Sequence, residues 1–472
     1  MIKRARRVAV PLLAFALLVQ SGAGASEPRR GSEGARAART IVLILTDDQR
    51  WDTTWAMPTV RSELADRGVT FKNAFVVNAL CCPSRASILT GRYSHGTRVY
   101  SNGGRFGGFA SFKDVSTVAT WLDKAGYRSA WIGKYLNQYV DRNASYIPPG
   151  WDRWYAVTSN PYNSFAYHAS DNGAVVAPGT YQTDLLASKA ATFIRSAGST
   201  DPLFLVFAPV APHPPSTPPS RYSRAFSSLH RWRPPSYDEG NVADKPRYIR
   251  GLPRLSQSER DLIDGLRLKQ YRSLLAVDDG VRTILRALRD TGRLSTSLVV
   301  YTSDNGFLWG EHRWMGKMVP YEESIRVPMI VRYDPLARQP RADYHFALNI
   351  DIPATVAAVA GVRTPPIDGK SFLPLLASAS GPWRTDFLVE HMGGGTGGTK
   401  RWGGIPIYCA VRGTNFTYVA YNTGEEELYD LIADPRQLSN VASEPAAKPM
   451  LDKGRTRART LCSPPPPGWT RW

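Results

Sequence analysis

The chain has 472 residues, of which 43% are hydrophobic and 21% charged, and its formal net charge is +19. That length exceeds the needs of one small core and leads us to expect two domains. The balanced composition excludes a disordered or fibrous polymer, and the basic excess favours polyanionic partners.

The first residues read as an export signal. Lys3, Arg4, Arg6 and Arg7 form a basic segment, Val8 to Val19 is apolar but short for a bilayer span, and Ala23-Gly24-Ala25 offers a small-residue cleavage site. Residues 1–25 are therefore expected to be a cleaved signal peptide, giving a secreted or periplasmic protein with no stable membrane anchor. Residues 26–39, rich in Gly, Ser, Ala and Arg, read as a disordered lead-in.

From residue 40 short apolar runs alternate with helical patterns. In chain order, Ile41 to Leu45 is a predicted strand, Val118 to Ala125 a helix, Ser129 to Ile132 a strand and Thr183 to Ser196 a helix. Leu203 to Ala208 follows as a strand, Tyr271 to Asp290 as a long amphipathic helix, Ser297 to Thr302 and Val327 to Val331 as strands, and Ile352 to Ala360 as a helix. This alternation predicts an α/β fold with a mostly parallel sheet covered by helices on both faces. Between His213 and Leu262 the periodicity fails and Pro, Ser, Arg and Tyr accumulate. A loop of that length is expected to be a substrate-facing insertion. After about Leu376, Phe387 to His391, Ile407 to Val411, Phe416 to Tyr421 and Glu427 to Leu431 read as strands of a smaller antiparallel sheet, and Pro464 to Pro467 as the end of the folded part. The expected boundaries are 40–376 for the main domain and 377–472 for a C-terminal α+β subdomain with a Pro-rich tail.

The cysteines are Cys81, Cys82, Cys409 and Cys462. An exported protein meets conditions in which disulfides form. Four cysteines allow three connectivities, and Cys409 with Cys462 is the preferred pair because both fall in the C-terminal part.

In open α/β sheets, ligands bind beyond the carboxyl ends of the strands. Asp47 and Asp48 follow the first predicted strand, Lys134 the second, His213 the third, and Asp304 and Asn305 the fourth. That repeated placement argues for one shared site. Three carboxylates and an amide are hard oxygen ligands that suit Ca²⁺ or Mg²⁺ better than zinc. By contrast, Asp278 and Asp279 read as capping or ion-pairing groups of a long helix, and His95, His168, His230, His312, His345 and His391 have no clear partner in sequence.

The densest segment is Cys81-Cys82-Pro83-Ser84-Arg85, followed by Leu89-Thr90-Gly91-Arg92. Pro83 suits the first turn of a helix and Gly91 suits its end. Residue 81 then sits at a helix N-terminus, where free N–H groups and the macrodipole attract an anion, and Arg85 can reach back from one turn on. This segment resembles the signature of the type I, formylglycine-dependent sulfatases, and the resemblance runs from about Thr40 to Val441. It implies an alkaline-phosphatase-like α/β fold with a smaller C-terminal antiparallel sheet.

The resemblance also implies roles. Cys81, with Cys82 at the variable position, would be oxidised to formylglycine by a formylglycine-generating enzyme, and the aldehyde hydrate would be the nucleophile. Asp47, Asp48, Asp304 and Asn305, with the converted Cys81, would hold Ca²⁺, with Mg²⁺ as the alternative. Arg85, Lys134, His213 and Lys317 would contact the sulfate, and His213 would protonate the leaving alcohol. Many members carry a histidine two residues after the Lys134 position, where this chain has Leu136 and then Asn137. Asn137 is the candidate to support the hydrate in its place. Gly133-Lys134-Tyr135-Leu136-Asn137 is similar to the N-acetylglucosamine-6-sulfatase branch, and Glu427-Leu428-Tyr429-Asp430-Leu431 resembles a closing segment of many sulfatases.

The substrate expected from this resemblance is a 6-O-sulfated N-acetylglucosamine in a glycosaminoglycan-type carbohydrate. The polyanion suggested by the basic charge is then a sulfated sugar and not nucleic acid. Arg231, Trp232 and Arg233 in the insertion are the candidate sugar contacts. The competing readings are an arylsulfatase or other carbohydrate sulfatase, a phosphodiester or phosphonate hydrolase with the same metal site, and an inactive polyanion-binding protein.

Overall fold

The computed structural model describes residues 40–139, 145–337, 339–377, 381–394 and 401–472. The expected signal peptide and lead-in lie outside the described residues. No described helix is long and apolar enough to cross a membrane.

All seven residues of the strand Thr40–Thr46 are buried. Such a run of β-branched and apolar side chains needs cover on both faces. The strand lies inside a ten-stranded sheet whose order is Arg341–Leu348, Val69–Phe75, Met329–Arg332, Ser297–Ser303, Thr40–Thr46, Leu203–Ala208, Arg128–Lys134, Arg153–Val157, Ala169–Asp171 and Ala174–Val176. The five strands from Ser297–Ser303 to Arg153–Val157 run parallel, with Ile41 opposite Phe204 on one side and Leu298 on the other. Met329–Arg332 is antiparallel to both of its neighbours.

Alternate side chains of the central strand feed two cores. Ile41, Leu43 and Leu45 join Ile88 and Leu89 of the helix Cys81–Thr90 and Val356 of the helix Asp351–Ala360. Val42 and Ile44 join Leu186 of the helix Gln182–Arg195 and Val277 and Val281 of the helix Gln257–Asp290. That last helix begins fourteen residues before the predicted Tyr271 and so takes the end of the segment read as irregular. A capping box explains the start: Ser256 and Glu259 satisfy each other's backbone N–H groups. Asp278, from the same helix, accepts from the N–H groups of Thr59 and Val60, and Asp279 pairs with Arg221.

The four C-terminal strands form one antiparallel sheet, Asp386–His391, Tyr408–Gly413, Phe416–Tyr421 and Glu426–Asp430. The helix Lys448–Leu461 lies on it, and Cys409 and Cys462 are joined in a disulfide. The prolines do not end the folded part, contrary to expectation: beyond them Trp469 packs against the cluster of Leu388 and the disulfide. The small sheet is pinned to the rest through the buried Glu427, which accepts hydrogen bonds from Tyr321 (2.8 Å), Tyr421 (2.5 Å) and Tyr429 (2.5 Å).

Candidate active site

The parallel strands deliver their polar ends to one place. Thr40–Thr46 runs into Asp47 and Asp48, Ser297–Ser303 into Asp304 and Asn305, and the Asp304 N–H donates to the Thr46 carbonyl at 3.1 Å. Arg128–Lys134 ends on Lys134 itself. Gly133, just before it, has φ +129°, and a Cβ there would fall 2.0 Å from the Ala208 carbonyl oxygen. Only glycine permits that approach between the strands. Cys81 is the first residue of its helix, and Gly91 ends that helix with φ +72°.

Around Cys81 the side chains interlock. Its Sγ lies 3.4 Å from Asp47 Oδ1 and 2.8 Å from Lys317 Nζ. Lys317 pairs with Asp48 and Lys134 with Asp47. Arg85 Nε donates to Asp304 Oδ2 at 2.7 Å, and Arg85 Nη1 to the Lys134 carbonyl at 2.6 Å. Asn305 Nδ2 donates to Asp48 Oδ1 at 2.7 Å. His213 Nε2 lies 3.5 Å from Asp48 Oδ2. Its Nδ1 donates to the Pro214 carbonyl at 2.6 Å, because a carbonyl can only accept; Nε2 is left to face the cluster. Tyr162 stacks on the His213 ring with centroids 4.0 Å apart, and Lys134 Nζ lies 5.2 Å from the centre of the Tyr162 ring.

Three buried carboxylates thus face three buried cations. Burial opposes ionisation of Asp47 and Asp48, yet Lys134, His213 and Arg85 around the first and Lys317 and His213 around the second hold both below the usual carboxylate range. Burial, reinforced by Asp47, pushes the Cys81 thiol up to about 12 in spite of the two lysines. A thiol so placed stays protonated and is a poor nucleophile. Burial lowers His213, with Asp48 and Asp47 opposing.

The donor set fits a hard divalent cation. Asn305 Oδ1 is buried without a hydrogen-bond partner, an acceptor of the kind a cation satisfies. One ligand atom each from Asp47, Asp48, Cys81 and His213 lie within 4.8 Å of one another. Two of these four ligands are carboxylates, and Asp304 and Asn305 at the neighbouring strand end add further oxygen donors of the kind that Ca²⁺ or Mg²⁺ prefers.

Beside this cluster opens a cavity of about 700 Å³, with Asp48, His213 and Lys317 in its lining. Ser101, Asn102 and His391 also line it. Asn102 Oδ1 accepts from the Cys82 N–H at 2.9 Å. Neither these residues nor Tyr162 carry a signal in sequence, since each is brought in by tertiary folding of a loop or of a distant strand end. The cavity lining does not include Asn137, whose side-chain oxygen is buried without a partner. It does not include Arg231, Trp232 or Arg233 either. Arg233 grips both oxygens of Asp264 (2.8 and 2.7 Å), Arg231 is exposed beside the same carboxylate, and Trp232 donates to Glu311 at 2.7 Å.

A sheet that gathers carboxylates and cations at its strand ends, around a cysteine at a helix N-terminus, is the frame of an enzyme for anionic esters. The sulfatase family model matches residues 39–362, and the model for the C-terminal part of N-sulphoglucosamine sulphohydrolase matches residues 310–461. The chain belongs to the sulfatase family and is a sulfuric ester hydrolase. Within the family it is similar to the human N-acetylglucosamine-6-sulfatase, with 32% identity over 448 residues that cover 85% of this chain and 80% of that protein. It is 33% identical over 383 residues to the extracellular sulfatase SULF-1 homolog of Drosophila melanogaster; the match covers 77% of this chain but only 34% of that longer protein. In fold it resembles a solved protein captured with its substrate D-glucosamine-2-N,6-O-disulfate, with a TM-score of 0.79, 22% identity, and coverage of 90% of this chain and 97% of that one.

Proposed function

We propose that this chain hydrolyses the 6-O-sulfate of N-acetylglucosamine in a glycosaminoglycan-type carbohydrate, outside the cell or in the periplasm, after Cys81 has been converted to formylglycine. The observation that carries the reading is Cys81 at a helix N-terminus, within 3.4 Å of Asp47 and 2.8 Å of Lys317. The similarity to N-acetylglucosamine-6-sulfatases supports the sugar.

The hydrate of an aldehyde at position 81 supplies a hydroxyl nucleophile for sulfur. Asp47, Asp48, Asp304 and Asn305 would hold a divalent cation, most simply Ca²⁺, which when bound would supply Lewis acidity and neutralise charge. Arg85, Lys134 and Lys317 hold the sulfate oxygens and stabilise the charge that builds on them, in a site already dry and oriented. His213 delivers a proton from Nε2 to the departing sugar oxygen, and the bond from Nδ1 to Pro214 holds the ring for that transfer. Residues 40–376 act as the catalytic domain and 377–472 as its C-terminal subdomain.

The test is sulfate release from N-acetylglucosamine 6-sulfate by protein whose Cys81 peptide shows the aldehyde by mass spectrometry, compared with a phosphate diester and a phosphonate ester. Faster turnover of the phosphorus esters, or no sulfate release by converted protein, would refute the proposal.

A further inference from the structure

The strand Arg153–Val157 and its antiparallel neighbour Ala169–Asp171 are joined by residues 158–168, at the carboxyl end of the parallel sheet. That connection is tied down along its arms and at its tip. The Thr158 N–H donates to the His168 carbonyl (2.9 Å) and the His168 N–H to the Ser159 carbonyl (3.1 Å). At the tip, Asn163 Oδ1 accepts from the N–H groups of Phe165 (3.0 Å) and Ala166 (2.8 Å), while the Asn163 N–H closes a turn onto the Asn160 carbonyl at 2.9 Å. The buried Gln182, first residue of the helix Gln182–Arg195, donates from its N–H to the Ser164 carbonyl (2.8 Å) and from Nε2 to the Pro161 carbonyl (3.1 Å). Tyr162 stands between Pro161 and Asn163, so its backbone is held from both sides.

The loop presents a ring face to the site. The Tyr162 ring lies 15° from parallel to the His213 imidazole, at 4.0 Å between centroids. A further tie, from Ser164 Oγ to the Thr217 carbonyl at 3.3 Å, joins the loop to the segment that carries His213. The hydrogen bond from His213 Nδ1 to the Pro214 carbonyl, at 2.6 Å, fixes one edge of the imidazole. A bond at one edge leaves the plane of the ring free to swing about that edge. A flat neighbour in van der Waals contact removes that freedom. Nε2 then stays aimed at the cluster, 3.5 Å from Asp48 Oδ2.

Resting on the reading of His213 as the proton donor, we infer that Tyr162 is its positioning residue: the phenol ring holds the imidazole plane so that Nε2 meets the departing sugar oxygen. The flat face does this, and the hydroxyl group is not needed for it. Proton transfer requires the heavy atoms to be within hydrogen-bond reach, and a misplacement of about 1 Å at a reacting group can cost about 10²-fold in rate. An ester whose leaving group departs without a proton does not use that alignment, so the loss is confined to sugar esters.

Steady-state kinetics of converted enzyme on N-acetylglucosamine 6-sulfate and 4-nitrophenyl sulfate test this, with folding checked by thermal unfolding. Tyr162→Leu fills the space without a flat face and is expected to lower kcat on the sugar ester by about 10–100-fold, with KM little changed. Its loss on the aryl ester is expected to be much smaller, and Tyr162→Phe to recover most of the rate on the sugar ester. Added to His213→Gln, Tyr162→Leu should cost little more, because the group it aims is already gone. A parent-like kcat on the sugar ester in Tyr162→Leu overturns the inference. So do equal losses on the two esters, which assign the ring to the sulfate through Lys134, and equal losses in Tyr162→Phe and Tyr162→Leu, which assign the role to the hydroxyl. Where Tyr162→Leu does not fold, Asn163→Ala replaces it by freeing the turn that carries the ring. A weaker loss with the same selectivity is expected there, and an equal loss on both esters, or none, overturns the inference. An equal loss on both esters in His213→Gln overturns the proton-donor reading and this inference with it, while a parent enzyme active on neither ester overturns the sulfatase reading itself.

Discussion

Arg85 and Asp304 meet at 2.7 Å with neither side chain exposed, and this pair locks the helix that begins at Cys81 to the end of the strand Ser297–Ser303. Arg85 also reaches the Lys134 carbonyl, so a single guanidinium sets the spacing between three elements of the site. Arg85→Ala leaves a buried carboxylate unpaired and is expected to destabilise the fold by about 3–5 kcal/mol. Arg85→Lys keeps the charge but loses the fork, and should fold while losing roughly 10²–10³ in kcat. Thermal unfolding together with sulfate release separates the two effects. Normal activity in Arg85→Lys would remove the guanidinium from the reaction.

Cys81 and Cys82 are adjacent and both buried, but only Cys81 contacts the cluster of Asp47 and Lys317. Cys81→Ala is expected to abolish ester hydrolysis with the fold retained, while Cys82→Ala keeps most of it. Equal losses in two folded proteins would contradict the assignment of the nucleophile to position 81.

If Asp47, Asp48, Asp304 and the free Oδ1 of Asn305 hold a cation as proposed, removal of divalent cations should lower activity, with recovery on adding Ca²⁺. Asn305→Ala should weaken the metal dependence toward higher cation concentrations. Activity that is indifferent to prolonged chelation, in protein shown by elemental analysis to be metal-free, would exclude the cation.

His213 lies below its ordinary value, so its protonated form is lost as pH rises through a point under about 6.5. If it is the proton donor, kcat/KM on a sugar ester falls as pH rises through that point. His213→Gln should cost roughly 10²–10⁴ on the sugar ester and flatten that limb. The loss on 4-nitrophenyl sulfate should be much smaller, since that leaving group departs without a proton. Equal losses on the two esters would assign His213 to sulfate binding alone.

The Cys409–Cys462 disulfide closes a loop across a separation of 53 residues. Replacing both cysteines with alanine is expected to lower stability by about 2–4 kcal/mol. The kinetics on small esters should change little. An unchanged melting temperature would mean that the helix Lys448–Leu461 is held by its apolar face alone.

The central strands were legible because a parallel strand covered on both faces is a continuous apolar run, and Thr40–Thr46 and Leu203–Ala208 are such runs. Val69–Phe75 and Arg341–Leu348 were not, because they lie toward one edge and mix exposed polar residues such as Lys72 and Tyr344 with buried ones. The acidic and basic residues at the strand ends could be read from position alone. Tyr162 and Asn102 could not, since their place at the site depends on how loops fold back over the sheet. Arg231 and Arg233 show the opposite limit: composition announced the cations, but only the fold revealed that Asp264, on a helix, already holds them.

Cys81 has no exposed surface. Any reagent or enzyme that alters its side chain must therefore meet the chain before the helix Cys81–Thr90 settles onto the sheet, or wait for a rare opening of the core. If activity depends on conversion of residue 81, as proposed, the yield of converted protein would be set by a race during synthesis between that encounter and collapse. Two preparations folded alike by every spectroscopic measure would then differ in specific activity according to how many of their molecules were converted in time.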